Sequence, residues 1–247
     1  MSPRVVAILP ARLRSTRLAG KVLMKHLGKP LLYHVWSRVR RAKQIALVAV
    51  ATDSAEIADA ARSFGAEVVM TSRRHQTGTD RVAEAAARIG GEIIINIQAD
   101  NFGLTGAVLD RVVARMKADR SIQFATLARP IVDDDELFDP SVVKVVMGAD
   151  NRALWFSRYP LPYLQRPGPG PRACQADFLA HVGVYFFRRR ALTAYTGWKR
   201  TAAEKAESLE QLRILEHGGI IRVYRTSAKT ISIDTGRDWK ELQTRGR

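Results

Sequence analysis

Residues 5–21 read VVAILPARLRSTRLAGK. Val5 to Leu9 is an apolar, β-branched run of strand length, and the loop after it carries Arg12, Arg14, Arg17 and Lys21 within ten residues. A buried strand that opens into a polar loop is the first half of a βα unit, and in parallel α/β sheets ligands gather at the carboxyl ends of the strands. The same alternation continues outward from this stretch. Further strands are predicted at Ala46 to Ala51, Glu67 to Met70, Ile93 to Ile97 and Phe124 to Leu127. Helices are predicted at Leu31 to Ala42, Ser54 to Phe64, Asp80 to Ile89, Gly106 to Lys117 and Ala203 to Glu216. The run Ile93-Ile94-Ile95-Asn96-Ile97 is apolar on both faces, as a strand covered by helices on each side must be. Ser54 suits an N-cap and Gly65 a C′ position. Val142 to Met147 and Ala153 to Ser157 flank Gly148-Ala149-Asp150-Asn151, which predicts an antiparallel hairpin, and Pro160 to Pro171 is a surface loop. The expected fold is therefore α/β: a mostly parallel sheet with helices on both faces and a small antiparallel subdomain in the second half.

Composition narrows the class. With 247 residues, 46% hydrophobic and 26% charged, the chain falls among ordinary globular proteins and outside the disordered and fibrous classes. No apolar run approaches the roughly 20 residues of a membrane span, and Val5 to Leu9 is too short for a secretory h-region, so a cytoplasmic protein is expected. The single cysteine, Cys174, excludes an internal disulfide and a multi-cysteine zinc site, and in its Pro/Gly-rich loop it reads as a bystander thiol. The formal charge of +16 is uneven. Residues 1–52 hold eleven Lys/Arg and no acid, residues 53–184 fifteen basic against seventeen acidic, and residues 185–247 fourteen against seven. A diffuse excess would suit a polyanion such as nucleic acid. Here four cations are concentrated in one loop, while Arg38, Arg40, Arg41 and Lys43 mark the solvated end of a helix.

The loop chemistry suits a polyphosphate: arginine forks clamp nonbridging oxygens and lysine adds a point charge. It is not a Walker A loop, because Gly20-Lys21 is followed by Val22 and no glycine stands five residues before Gly20. Nor does it contain the GxGxxG of a dinucleotide fold. Asp100, in Gln98-Ala99-Asp100, and Asp234, closing Thr230-Ile231-Ser232-Ile233, each end a predicted strand. A carboxylate there either binds Mg²⁺ beside the phosphates or serves as a turn or cap residue.

The blocks LPARLRSTRLAGK, LGKPLLYHV, VATD, MTSRRHQTGTDRVAEAA, NIQAD, ATLARPI, PSVVKVV, ALWFSRYPLP, HVGVYFFRR, ESLEQLRILEHG and IDTGRD run in order almost end to end. Together they resemble the CMP-Kdo synthetase (3-deoxy-manno-octulosonate cytidylyltransferase) family of the nucleotide-sugar pyrophosphorylase superfamily. The resemblance implies a Rossmann-like nucleotidyltransferase sheet in a single domain over residues 1–247, with residues about 130–190 as a sugar-binding and dimerisation elaboration. It implies a Mg²⁺-dependent transfer of CMP from CTP to the anomeric hydroxyl of Kdo, releasing pyrophosphate, for lipopolysaccharide synthesis. By position, Arg12, Arg17 and Lys21 would hold the triphosphate, and Ser72, Gln76, Gly78, Thr79 and Arg81 would line the cytosine and ribose site. Asp100 and Asp234 would bind Mg²⁺, giving Arg12, Lys21, Asp100 and Asp234 as the catalytic set. Gln98, Arg158, His181, Tyr185, Glu207 and Gln211 match the sugar-acid pocket, with Arg158 facing the substrate carboxylate. The implied partners are CTP, a 3-deoxy-2-ulosonic acid and a second copy of the chain, without nucleic acid or membrane.

The chain also departs from the family pattern. Family members read NVQGDEP where this chain has NIQADNFG, so Ala99, Asn101 and Phe102 replace a glycine, an acid and a proline. PGK appears as AGK with Ala19, and VDTPEDL appears as IDTGRDW with Gly236 and Arg237. Two alternatives therefore stand beside Kdo transfer: the same reaction on a modified Kdo or another 3-deoxy-2-ulosonic acid, and a catalytically silent nucleotide- or RNA-binding homologue.

Overall fold

Val5–Ala11, strand β1, is buried along its whole length, because its β-branched and small apolar residues are covered by the rest of the fold on both faces and flanked by a strand at each edge. The computed structural model describes residues 3–13, 18, 20–228, 230–233 and 236–244. The chain divides into two compact units, one of Met1–Asp119, Phe187–Leu192 and Ala228–Arg247, the other of Arg120–Phe186 and Thr193–Ser227.

In the first unit, β1 leads into the short hairpin β2 (Lys25–His26) and β3 (Lys29–Pro30), then α1 (Leu31–Val39) and β4 (Leu47–Thr52). There follow α2 (Ala55–Ser63), β5 (Glu67–Met70), α3 (Gly78–Ile89), β6 (Ile93–Ile97), β7 (Asn101–Phe102) and α4 (Gly106–Ala118). Strand order is β6-β1-β4-β5 and every pairing is parallel, with Ile8 opposite both Ala49 and Asn96. The expected mostly parallel sheet is thus present, built from right-length strands joined by helices. Helix boundaries follow the expected chemistry. Ser54 caps α2 by accepting from the Ile57 N–H (3.4 Å), and Gly65 ends it with φ 81 and an N–H to the Arg62 carbonyl (2.9 Å).

In the second unit, β8 (Phe124–Pro130), α5 (Asp134–Phe138), β9 (Lys144–Met147), β10 (Ala153–Ser157) and β11 (Leu179–Arg188) come first. The last residues of β11 and the first of α6 (Arg189–Gly197) belong to the first unit, and the rest of α6, α7 (Ala202–Glu207), α8 (Leu212–Glu216) and β12 (Ile221–Arg225) to the second. The order is β10-β9-β11 with β8 beside β11 and β12 beside β8. The predicted hairpin is there: β9 and β10 are antiparallel with Val145 opposite Phe156. β13 (Ile231–Ser232) returns to the first unit and pairs antiparallel with β7, Ser232 opposite Asn101, before α9 (Gly236–Thr244). Among the described residues, no helix is long and apolar enough to cross a membrane.

One helical expectation is corrected. The single helix predicted from Ala203 to Glu216 is two, α7 and α8, broken at Ser208, which takes a left-handed backbone (φ 53, ψ 47). The Leu209 N–H closes the end of α7 onto the Glu204 carbonyl (3.2 Å), and the Arg213 side chain reaches back across the break to the Glu204 carboxylate. The turn brings the two charges together, which a continuous helix would hold nine residues apart along its axis.

Candidate active site

At the end of β1, Arg12 is exposed, and the loop behind it closes where the Gly20 N–H donates to the Leu13 carbonyl (3.0 Å). Gly20 has φ 66, a conformation that favours glycine, and it starts the short 3₁₀ turn Lys21–Leu23. This turn aims Lys21 at the carboxyl end of β6, where its ammonium pairs with Asp100 Oδ2. Both side chains are mostly shielded, 11% and 17% exposed. Asp100 lies in a tight turn in which the Asn101 N–H donates to the Gln98 carbonyl (3.0 Å). The Asp100 carbonyl accepts from the N–H groups of Phe102 (3.1 Å) and Ile233 (3.2 Å), so the strand entering the C-terminal segment is fastened to this turn. Among the described residues, no three or more His, Cys, Asp or Glu side chains converge as a metal cluster.

The loop between β5 and α3 forms a second wall of the same unit. Thr77 caps α3 in a reciprocal box with Asp80, whose N–H reaches Thr77 Oγ1 (3.2 Å). Glu84 clamps the loop from one turn further along: its carboxylate accepts from the Ser72 N–H (2.9 Å), from His75 Nε2 and from Arg88. Burial works to raise the Glu84 pKa, but these donors outweigh it and hold the carboxyl below its ordinary value. Arg81 is buried, bonded to Thr71 Oγ1 and paired with Asp53 (3.1 Å), joining the ends of β4 and β5. Thr79 Oγ1 accepts from Asn96 Nδ2 (3.1 Å). Gln98 lies against Gly78, whose α-carbon has room for no more than ordinary contact: a Cβ there would stand 3.4 Å from Gln98 Nε2.

The departures next to Asp100 are packing residues. Phe102 lies under the Arg38 guanidinium (4.1 Å to the ring centre), with His26 and His34 edge-on at 5.9 and 6.0 Å. It packs against the cluster of Leu31, Ile233 and Leu242. Asn101 is buried, and among the described residues no partner meets its Oδ1.

In the second unit, β10, β11, α7 and α8 hold a separate polar group. Thr126, on β8, donates its hydroxyl to the Val184 carbonyl (2.7 Å) and stands 2.9 Å from His181 Nε2. Burial pulls the His181 pKa down to about 3, so the ring is neutral at physiological pH. Tyr185 donates to Gln211 Oε1 (2.9 Å), and its own pKa is pushed up by burial and then by the charge of Glu210. Arg158 is tethered: its Nε donates to the Glu207 carbonyl (2.7 Å) and Nη1 to the Pro140 carbonyl (2.9 Å). Both Glu207 oxygens are engaged, one by Ser157 Oγ (2.6 Å) and one by the Arg158 N–H (2.9 Å). Buried Lys144, whose pKa burial lowers, donates to the carbonyls of Asp139 (2.7 Å) and Arg158 (3.1 Å).

Residues 6–231 match the family model described as cytidylyltransferase. The 3-deoxy-manno-octulosonate cytidylyltransferase of Geobacter metallireducens is 43% identical over 244 residues, covering 95% of this chain and 94% of the relative. The chain belongs to the 3-deoxy-manno-octulosonate cytidylyltransferase family. A relative of the same name from Nitratidesulfovibrio vulgaris is 43% identical over 234 residues, 94% of this chain and 91% of its own. A solved structure of CMP:2-keto-3-deoxy-manno-octonic acid synthetase complexed with CTP aligns with a TM-score of 0.89 at 35% identity, covering 98% of this chain and 97% of that one. The inositol-1-phosphate CTP transferase of T. maritima, at 12% identity and a TM-score of 0.66, shares the fold alone.

In this family member the residues expected at the nucleotide fall together in the first unit: Arg12, Lys21, Ser72, Gln76, Gly78, Thr79 and Arg81, with Asp100. Arg17 and Asp234 lie outside the described residues. Gln98, expected with the sugar acid, sits in this unit against Gly78, while Arg158, His181, Tyr185, Glu207 and Gln211 share the second unit. Thr79 and Arg81 spend their polar groups on Asn96, Thr71 and Asp53, and so shape the loop from beneath. Glu84, Asp53 and Thr126 escaped the sequence reading. Each acts on a partner that only folding brings near, and no local spacing announces it.

Proposed function

We propose that the protein transfers CMP from CTP to the anomeric hydroxyl of 3-deoxy-manno-octulosonate (Kdo), releasing pyrophosphate, in the supply of lipopolysaccharide synthesis. The carrying observation is 43% identity over 95% of the chain to a relative named for that activity. Displacement at the α-phosphorus needs charge neutralisation and in-line positioning more than a covalent nucleophile. Arg12, Arg17 and Lys21 hold the triphosphate. The loop clamped by Glu84 presents Ser72, Gln76 and Gly78 to the nucleoside, with Thr79 and Arg81 supporting it. Arg158, with Nε and Nη1 tied to carbonyls, offers Nη2 to the sugar carboxylate. Glu207 fixes Arg158, and Gln211 and His181 take sugar hydroxyls.

The donor chemistry fits Mg²⁺, a hard cation that takes one or two carboxylates and phosphate oxygens. Asp100 already accepts a cation, the Lys21 ammonium, which supports it as one carboxylate. The chain runs from Ile233, bonded to the Asp100 carbonyl, directly into Asp234, which supports that residue as the second. When bound, the metal would neutralise phosphate oxygens at the reacting centre. Leu154 and Trp155, exposed on edge strand β10, support a homodimer as part of the same reading.

Purified protein with CTP, Mg²⁺ and a panel of 3-deoxy-2-ulosonic acids tests the proposal. Pyrophosphate release is expected with Kdo, and release only with another acid overturns the choice of acceptor. Phe102 is occupied in packing and gives that second outcome no support.

A further inference from the structure

β11 alternates along its length. Ala180, Val182, Val184 and Phe186 are buried, while His181, Gly183 and Tyr185 share the opposite, partly exposed face. The rings of His181 and Tyr185 stand 5.3 Å apart by centroid, with Gly183 between them in sequence. Beyond its chain neighbours, a Cβ on Gly183 would meet no atom of the described residues within 4 Å, and its backbone does not have positive φ. Neither packing nor backbone conformation therefore calls for glycine here. Glycine weakens a strand interior and often marks a bulge, a tight bend or a place that a ligand or another backbone approaches closely, and no described backbone beyond its chain neighbours comes within 4 Å of a Cβ built here.

The polar atoms around this face are arranged for a polyol. Thr126 has one hydroxyl hydrogen. Its 2.7 Å contact with the Val184 carbonyl, two acceptors facing each other, requires that hydrogen to lie there. Thr126 Oγ1 then accepts from His181 Nε2, so the ring carries its proton on Nε2 and a lone pair on Nδ1. No described residue bonds to that Nδ1. Gln211, 3% exposed, spends Oε1 on Tyr185 and leaves its Nε2 donor buried without a partner among the described residues. An acceptor, His181 Nδ1, thus lies on this strand face, with the buried Gln211 amide behind Tyr185.

We propose that Gly183 is the specificity-determining position of the acceptor site. Its missing side chain opens a slot on the face of β11 that receives the sugar acid, one of whose hydroxyls donates to His181 Nδ1. This rests on the reading of the chain as a Kdo cytidylyltransferase and adds to it the residue that sets the room for the sugar, with Thr126 positioning His181.

Steady-state kinetics and thermal unfolding of Gly183→Ala and Gly183→Val, beside wild type and His181→Ala, test the slot. With open space at the site, the melting temperature of Gly183→Ala should match or exceed wild type. Its KM for CTP should stay within about twofold while its KM for Kdo rises about tenfold or more, and Gly183→Val should lose measurable turnover; a methyl group in a filled slot has that effect. A Kdo KM within twofold of wild type in Gly183→Ala overturns the slot, and so does a fall in melting temperature with both KM values rising together, which would make the glycine structural. If His181→Ala is impaired towards Kdo while Gly183→Ala is not, the slot alone fails. If neither is impaired in an enzyme that turns over Kdo, this face is not the acceptor site. Absence of turnover in wild type removes the functional reading itself, and the slot with it.

Discussion

Glu204→Gln is the most informative single change in the second unit, because one buried carboxylate holds the turn that carries both Glu207 and Gln211. Glu204 is 1% exposed and accepts from Arg213 Nε (2.8 Å) and Nη2 (2.6 Å), from Arg200 Nε (3.1 Å) and from the Thr201 N–H (3.3 Å). Arg213 is 4% exposed, with its guanidinium also over the Tyr195 ring at 4.5 Å. The amide keeps one acceptor but turns an N–H₂ towards the guanidinium and removes the charge that Glu204 sets against this buried cation. Removing one partner of a buried pair costs about 3–5 kcal/mol. At roughly 2–4 °C per kcal/mol for a chain of this size, the melting temperature near pH 7 should fall by about 6 to 20 °C. The Kdo KM should rise as the α7–α8 turn loosens. Circular dichroism melts measure the first effect and pyrophosphate release the second. The double substitution Glu204→Leu with Arg213→Leu should recover most of the lost stability, since an apolar pair carries no desolvated charge. Burial works to raise the Glu204 pKa, but Arg213 and then Arg200 and Thr201 outweigh it, so the folded value lies below the ordinary one. The stability from this group is therefore present above the unfolded pKa, about 4.3, and is lost as the pH falls through the folded value. The gap between wild type and Glu204→Gln should narrow in acid. A fall of less than about 3 °C near pH 7, or a gap that widens in acid, would refute the reasoning.

Asp100→Ala and Asp234→Ala should each abolish pyrophosphate release while circular dichroism stays that of wild type; an unchanged rate in either removes that residue from the metal site. Glu84→Gln loosens the Ser72–His75 loop, so the KM for CTP should rise about tenfold, with kcat and the Kdo KM little changed; equal losses in both KM values would make Glu84 merely structural. Because burial holds His181 near a pKa of about 3, the profile of kcat/KM for Kdo against pH should carry no limb from this ring between about pH 5 and 8. A limb that disappears in His181→Gln would refute its role as a neutral acceptor.

Much of the architecture was legible because it is written in local terms. The apolar runs at Val5 to Leu9 and Ile93 to Ile97 can be satisfied only by burial on both faces, and the turn at Gly148 to Asn151 fixes the β9–β10 hairpin. Capping by Ser54 and the stop at Gly65 are chemistry of adjacent backbone groups. The placement of four cations after the first strand likewise singled out a phosphate-type loop before any coordinates. What spacing could not supply was the partner of each side chain. Lys21 meets Asp100 across 79 positions, Arg81 reaches Asp53, and Phe102 turns out to be packing under Arg38.

The break between α7 and α8 shows why. Helical periodicity runs through Ala203 to Glu216 without a proline or glycine before Gly218, so the sequence alone predicts one helix. Only in the folded chain do Glu204 and Arg213 meet, across the left-handed turn at Ser208. Gly183 is the same lesson in reverse: in sequence it is a weak point in a strand, and in the tertiary structure no described residue beyond its chain neighbours comes within 4 Å of the Cβ it lacks. Sequence therefore determined which segments are buried and where the cationic loop stands, since burial and capping depend on residues a few positions apart. Tertiary structure decided which carboxylate, hydroxyl or empty space each functional side chain faces, since those depend on chain segments that meet only after folding.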